Sequence, residues 1–420
     1  MKILLATYWA VPHVGGVWKY MVQLRENLEK LGHKVDLLGY GEDNTYVHLV
    51  NKGKKLSNDQ LRPLLEAKIT PENYPEIYAN DLVKYTEFQR YMYELAAAYF
   101  GLRDYDVIHT QDVLSTVAMS RIKPDHIPLV ATLHGSVAHA IYHQLENIHR
   151  SSTSFMAREY FKKLENLGAT SAYTTIVANN WLKDILTNEF EVPLEQIQVQ
   201  HYGYDIRSFL EKMKVKSTIK KPLDKKVITY TGRLVELKGV HHLITALSQL
   251  KKERAEKDWV CWIIGDGDKM EELKAQAKSL TLTDDVFFFG ERQDIPYLLS
   301  LSDIHVLPSL LENQPLSVIE AQLAGKAVIV SDTGGLPEMV EHGVTGIVVP
   351  VGNPQALYEN LDILLDSDKL RKKLGSNAKI WGISYWSQER AVRNLLKIYE
   401  QAKFEAGKDA TNDTDYSVNH

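Results

Sequence analysis

The 420-residue chain has a single cysteine, Cys261, so no intrachain disulfide can form. That economy fits a reducing compartment. Basic charge is not in excess either. Lys plus Arg number 49 against 54 for Asp plus Glu, a net charge of −5. A protein living on nucleic acid is usually more basic, so that class loses support. No apolar run approaches the ~20 residues of a spanning helix. The opening run MKILLAT has strand length, and Trp9, Pro12 and His13 interrupt it. No small-residue cleavage site follows, which speaks against a signal peptide. The expectation is a soluble cytoplasmic protein, with peripheral contact at the inner face of a membrane left open. Several motifs are missing as well. Residues 15–20 read GGVWKY rather than G-x-G-x-x-G, and no G-x-x-x-x-G-K-[ST] occurs. Dinucleotide binding and P-loop hydrolysis both lose support. No His/Cys cluster has zinc spacing, and no G-x-S-x-G nucleophile elbow is present.

What is present is an alternation of strands and helices. Lys2–Thr7 reads as a strand, Gly15-Gly16 as a turn, and 17–31 as a helix with Tyr20, Leu24, Leu28 and Leu31 on one stripe. Gly32 suits the left-handed position that ends a helix. His33–Leu38 is the next strand, so the chain opens βαβ, the seed of a parallel doubly wound sheet. Residues 44–104 look like an elaboration that ends in an aromatic helix over 80–100. Strands resume at 106–109, 128–133, 174–178 and 196–201. The segment 211–226, EKMKVKSTIKKPLDKK, holds seven lysines. It reads as a solvated surface near a domain boundary, with a patch for anionic lipid as the sharper alternative. A second α/β unit follows, with strands at 227–231, 259–264, 286–289, 304–307, 327–330 and 347–349. A last helix runs over 387–406, and the polar tail 407–420 is expected to be disordered.

Certain residues stand where a strand meets the next helix. The glycine pair Gly15-Gly16 lets backbone N–H groups face a phosphate or sugar oxygen, or simply makes a tight turn. Arg233 and Lys238 leave strand 227–231 and suit a pyrophosphate, a planar fork beside a point charge. The bland alternative is two surface cations. Glu312 and Glu320 are eight apart, an E-x7-E, with Pro315 in the first turn of a helix. Glu320 lies in that helix and Glu312 on the loop before it, so the two carboxylates can address different parts of one ligand. The N–H groups near Leu316 and Ser317 are exposed to an anion. His134 follows strand 128–133 and reads either as a structural histidine or as a ligand contact. Asp266 and Asp268 form a D-x-D string, read as a turn with Asp268 capping a helix that begins at Lys269, and metal ligation as the alternative.

Taken together, these strings resemble family-4 retaining glycosyltransferases of the GT-B fold. The matching residues are the GR…KG of Gly232 to Gly239, IIGDG at 263–267, and LPSLLENQPLSVIEAQLAGKAVIVSDTGGLPEMVEHGVTGIVVP at 307–350. The resemblance covers 1–405 and is stronger in the second half. It implies an α/β chain with two Rossmann-like doubly wound domains facing across a cleft. An acceptor-side domain would span 1–203 and a nucleotide-sugar domain 204–386, with helix 387–405 returning to the first.

By position, the resemblance assigns Arg233 and Lys238 to a donor diphosphate, Glu320 to the ribose and Glu312 to the transferred sugar. Leu316 and Ser317 would offer N–H groups to phosphate. Gly16, beside Gly15, would approach the phosphate–sugar junction, with His134 near the reacting carbon and Arg292 beside the base. Gly334-Gly335 would shape a loop. Two departures stand out. Asn313-Gln314 replace the Gly-Phe that often follows the first glutamate, so the donor sugar stays open. The frequent N-G-V-D turn reads Tyr202-Gly203-Tyr204-Asp205, although Asp205 and Phe209 fit.

The implied reaction is hexosyl transfer from a nucleotide sugar, most simply UDP-linked, to a hydroxyl acceptor, with retained anomeric configuration. Neither a metal nor another cofactor is expected, and nucleic acid is not a partner. Trp9, His13, Trp18, His139, Tyr142 and His143 suggest a sugar or amphipathic acceptor on the first domain, or ordinary packing. The alternatives are a sugar-nucleotide epimerase on the same fold and a non-catalytic binding subunit.

Overall fold

The computed structural model describes residues 1–13, 15–147, 153–254 and 258–416. It forms two units, Met1–His201 with Arg390–His420, and Tyr202–Glu389. The sequence reading placed the corresponding crossings at 203/204 and 386/387.

In the first unit the strands are β1 (Lys2–Ala10), β2 (Lys34–Tyr40), β3 (Tyr46–Leu49), β4 (Lys54–Ser57), β5 (Val107–Thr110), β6 (Leu129–Leu133), β7 (Thr174–Val177) and β8 (Ile197–Val199). They form one sheet in the order β4-β3-β2-β1-β5-β6-β7-β8. All neighbours are parallel except β2–β3 and β3–β4. The antiparallel pair lies inside the segment read as an elaboration. Its outer strand is the polar KKLS, and a charged, exposed edge carries little strand signal while discouraging further pairing.

β1 is buried on both faces, as a central parallel strand must be. Ile3 and Leu5 pack with Met21, Leu24 and Leu28 of the helix Gly16–Lys30. Leu4 and Ala6 face the opposite layer with Met92 and Ala96. The buried stripe of that first helix is therefore shifted from the expected one, and Leu31 is exposed. Gly32 has φ 84 and closes the helix as expected, with its N–H donating to the Glu29 carbonyl.

The helix Asp81–Phe100 forms where an aromatic helix is expected, and it also buries a polar row. Glu87, Arg90 and Glu94, spaced three and four apart, form a buried polar row. Arg90 donates from Nε to Glu87 Oε1 at 3.1 Å and from Nη2 to Glu87 Oε2 at 2.6 Å. Its Nη1 meets Glu94, and the Tyr160 hydroxyl donates to Glu87. Burial pushes the Glu94 carboxyl up, and Arg90 opposes the shift.

The terminal helix Gln388–Tyr416 lays Val392, Leu395, Ile398, Tyr399 and Ala402 onto the first unit's core. The Tyr399 hydroxyl and His109 Nδ1 share a 2.6 Å hydrogen bond in that layer. The helix continues to Tyr416, so the disorder expected from 407 is corrected over 407–416. No proline interrupts this stretch, and Gly407 alone does not break a helix. Residues 417–420 lie outside the described residues.

The second unit has strands β9 (Lys226–Thr231), β10 (Trp259–Ile264), β11 (Val286–Phe288), β12 (Ile304–Leu307), β13 (Ala327–Ser331) and β14 (Ile347–Val349). The order is β11-β10-β9-β12-β13-β14, parallel throughout. The chain winds outward from β9 to β11, then returns to lay β12 against the free side of β9. The point where the order reverses, between β9 and β12, is where open α/β sheets place ligands, at the strand carboxyl ends.

Arg90→Ala removes the cation from two buried carboxylates. It is expected to lower the stability of the first unit by about 3–5 kcal/mol, read as an earlier transition of that unit in calorimetry.

Candidate functional site

β9 ends at Thr231 and leads into Gly232-Arg233, and β12 ends at Leu307 and leads into Pro308-Ser309. The loops beyond these ends converge at the reversal point. The Leu310 N–H donates to the Leu237 carbonyl at 2.8 Å, tying the loop after β12 to the turn Glu236–Lys238. Close approach needs glycine at two places. Gly239 has φ 63, and a Cβ there would stand 2.1 Å from the Pro308 carbonyl oxygen. Gly334 has φ 58, and a Cβ would stand 1.8 Å from the Glu312 carbonyl oxygen. That same oxygen accepts from the Gly335 N–H at 2.9 Å. The glycine pair read as loop-shaping therefore holds the backbone of Glu312.

This convergence brings Lys238 Nζ and Glu312 Oε2 into a direct ion pair across 74 residues of sequence. Both side chains are largely but not fully buried. Glu312 Oε1 also accepts from the Asn313 N–H at 3.2 Å. Beneath them lies the buried Tyr230, whose hydroxyl donates to the Arg233 carbonyl at 2.7 Å. Burial and the Glu312 carboxylate push that phenol well above its ordinary pKa, and the Arg233 cation opposes them. Arg233, Lys238 and Glu312 thus share one neighbourhood. The Arg233 side chain is exposed and makes no hydrogen bond or ion pair among the described residues. The hydroxyls of Thr231 and Ser309, at the ends of the two strands, are buried without a hydrogen-bond partner among the described residues.

Helix Leu316–Leu323 follows the Glu312 loop, with Pro315 at its N-cap and no side-chain cap. No acidic residue stands in its first turn, which carries Leu316 and Ser317. Glu320 lies one turn further, and its Oε1 accepts from the buried Tyr204 hydroxyl at 2.7 Å. The sequence carries no signal for this pairing, which spans 116 residues. Arg292 follows β11 and donates to both oxygens of Asp294, from Nε at 2.8 Å and from Nη2 at 2.6 Å. These bonds hold the Asp294 carboxyl down at about 2. Asp268 does not cap a helix: the helix spans Met270–Ser279 with Lys269 at its N-cap, whose side chain makes no cap bond. Asp266 accepts from the Gly267 N–H at 2.7 Å in the turn before it, and Asp268 lies one residue ahead of the N-cap position. Among the described residues no group of three His, Cys, Asp or Glu is placed to hold a metal ion.

In the first unit the order reverses between β1 and β5, and the predicted residues again follow the strand ends. Gly15 is the extended N-cap of helix Gly16–Lys30, which has no side-chain cap. A Cβ on Gly15 would stand 2.3 Å from the His13 ring, whereas Gly16 has open space around it. His134, after β6, has Nε2 3.0 Å from Gln111 Oε1 and lies edge-on to Tyr20. Burial lowers its pKa to about 3, so the ring is neutral at physiological pH. Of the aromatic and histidine set, Trp18 packs on the core, His139 pairs with Glu189 at 2.7 Å and Tyr142 donates to the Arg158 carbonyl. Trp9 is exposed, and the His143 side chain lies outside the described residues. A surface cavity of about 430 Å³, lined by Gly101, Leu102, Arg103 and Lys123, opens before β5 and β6. It sits toward the amino ends of those strands, away from the carboxyl ends, and contains none of the predicted residues.

Gly334→Ala is expected to destabilise the second unit clearly more than Gly343→Ala. Both glycines have positive φ, but only the first meets another backbone, and Gly343 has open space. Strain of this kind costs on the order of 1–3 kcal/mol, and thermal melting of the two variants measures the difference.

The geometry can be compared with known proteins. Residues 14–208 match the family model described as Glycosyltransferase Family 4, and residues 211–381 match Glycosyl transferases group 1. An uncharacterized glycosyltransferase of Methanocaldococcus jannaschii is 26% identical over 96% of this chain and 98% of its own length. The MMP alpha-(1->4)-mannosyltransferase of Mycolicibacterium hassiacum is 26% identical with the same coverage. Among solved structures, Anabaena HepE in complex with UDP-glucose superposes with a TM-score of 0.67 at 20% identity, covering 96% of this chain and 100% of that one. The two units carry the paired α/β architecture of the GT-B fold, and the chain belongs to the family-4, group 1 glycosyltransferases.

Proposed function

We propose that this glycosyltransferase uses a UDP-linked sugar as donor and transfers it to a hydroxyl acceptor with retained anomeric configuration, without a divalent metal. The observation that carries the reading is the meeting of Lys238 and Glu312 beside Arg233 at the reversal point of the second sheet, with Glu320 on the helix that follows the Glu312 loop. The similar HepE structure holds UDP-glucose, and a similar relative is named a mannosyltransferase, so the nucleotide is better supported than the sugar. Asn313-Gln314 after Glu312 leave the sugar unassigned.

In this reading Arg233 and Lys238 meet the diphosphate, with the N–H groups at Leu316 and Ser317 beside them. Glu320 accepts from the ribose hydroxyls and Glu312 from the transferred sugar. The sugar–phosphate bond breaks as negative charge grows on the leaving diphosphate, and prepositioned cations stabilise that charge. The acceptor hydroxyl forms the new bond on the face the diphosphate leaves. Its proton passes to the departing phosphate oxygen, so no protein base is required. Gly15, Gly16, His134 and Arg292 keep the roles that the family resemblance implies, as part of the same proposal. A neutral His134 offers a hydrogen bond rather than a charge.

We place the reaction in the cytoplasm, in keeping with a lone cysteine that is buried. The lysine-rich segment is read as solvated surface: Lys221 pairs with Asp303 at 2.6 Å and Lys226 with Asp368 at 3.1 Å. Among the described residues no helix is long and apolar enough to cross a membrane.

UDP is expected to raise the melting temperature through mass action, and Glu320→Ala to weaken UDP binding. Turnover is expected to survive EDTA. Full and reversible loss there would reinstate Asp266 and Asp268 as metal ligands. Product analysis by mass spectrometry and NMR, with and without acceptor, separates a new α- or β-glycoside from an epimerised donor or no turnover.

Arg233→Ala and Lys238→Ala are expected to lower kcat more than they raise donor KM. The leaving diphosphate carries more charge in the transition state than in the bound donor, and only such differential interactions raise kcat. Steady-state kinetics at saturating substrates test this. A kcat held within about twofold while KM climbs makes the two cations binding handles only.

A further inference from the structure

We propose that Tyr204 is a positioning residue that sets the orientation of the Glu320 carboxylate for the ribose of the donor. The inference rests on the assignment of Glu320 to the ribose and adds a residue to it. The hydroxyl of Tyr204 donates to Glu320 Oε1 at 2.7 Å.

Tyr204 is itself held from several sides. Its ring is buried and packs edge-on to Phe209. Its N–H donates to the Trp386 carbonyl at 2.9 Å, and the residue bridges to Ser387. Trp386 in turn donates from its indole to Gln322 Oε1 at 2.8 Å, and Gln322 donates to the Met339 carbonyl at 2.6 Å. Gln322 lies two residues beyond Glu320 on the same helix. The backbone of Tyr204 is therefore tied through Trp386 and Gln322 to the helix that carries Glu320, and its phenol reaches that helix directly. Burial and the adjacent Glu320 carboxylate hold the phenol protonated, so it stays a donor.

A glutamate side chain has three rotatable bonds, and a ribose diol needs its acceptor in one orientation. A carboxylate accepts about four hydrogen bonds, so the phenol fixes one oxygen without exhausting the group. Fixing the acceptor before the ligand arrives lowers the ordering cost of binding. Glu312 has an equivalent restraint in Lys238 and the Asn313 N–H. The two carboxylates of the E-x7-E pair are thus held by different partners, a cation for one and a neutral phenol for the other.

The test compares UDP with 2′,3′-dideoxyuridine diphosphate, binding both to the wild type, to Tyr204→Phe and to Glu320→Gln by calorimetry. The wild type is expected to prefer UDP. Tyr204→Phe is expected to reduce that preference by about threefold to tenfold, the range of one hydrogen bond, while its affinity for the dideoxy ligand changes little. Glu320→Gln shows the loss when the carboxylate itself is changed. Equal weakening of both ligands by Tyr204→Phe assigns the residue to packing and overturns the proposal, as does an undiminished preference. A wild type that binds UDP but shows no preference overturns the ribose assignment of Glu320 and this inference with it. A wild type that binds neither ligand overturns the nucleotide reading and, through it, this inference. Melting of each variant without ligand is measured first, and Tyr204→Met provides a second variant lacking the hydroxyl if Tyr204→Phe does not fold.

Discussion

The ion pair between Lys238 and Glu312 exists because two parallel strands that are distant in sequence are neighbours in the sheet. β9 and β12 pair directly, and the loops beyond their carboxyl ends have nowhere to go but toward each other. Glycines then remove the side chains that would hold those loops apart. Gly239 admits the Pro308 carbonyl and Gly334 admits the Glu312 carbonyl. That convergence pins the Glu312 loop, the helix Leu316–Leu323 follows it, and Glu320 rides on that helix.

Sequence reasoning reached the site residues through strings whose order and spacing match a family, and it reached the strands because a buried parallel strand is a compact apolar run. WVCWII over β10 and AVIVS over β13 illustrate the second point. The partners of the site residues were not legible. Lys238 and Glu312 each read as a ligand contact, and their mutual pairing needs the strand order, which no local pattern contains. Glu87, Arg90 and Glu94 fail for a related reason. Charges three and four apart on a helix are the ordinary signature of a solvated face, and only the packing of Tyr160 and its neighbours turns that face inward. The β3–β4 hairpin was invisible because its outer strand is polar, the composition a sheet edge requires.

Burial divides the titratable groups of the protein by role. His109, His134 and His305 are all pushed down to about 3 by burial, so none carries charge near neutral pH. Their folded values lie below the ordinary one near 6.5, so the unfolded chain takes up protons that the folded chain refuses. The contribution of these three histidines to stability is therefore complete above about pH 6.5 and is lost as the pH falls from there toward 3. The charge of the candidate site resides instead on groups that keep some access to water, Arg233 above all.

That distribution bears on how an anion would enter. The Lys238 cation is answered by Glu312, while Arg233 has no such partner among the described residues. Under the proposed reading a diphosphate would first meet the exposed guanidinium, whose planar fork suits two phosphate oxygens. Engaging Lys238 as well requires its ammonium to share its three N–H donors between carboxylate and phosphate. Any weakening of the ion pair leaves Glu312 in want of donors, and the hydroxyls of the transferred sugar are donors. Diphosphate and sugar would then satisfy the two halves of one pre-existing pair. A free nucleoside diphosphate supplies an acceptor for Lys238 and no donor for Glu312, whereas the intact donor supplies both. The ion pair would thereby favour the complete nucleotide sugar over its own leaving group, a distinction that a cation alone could not make.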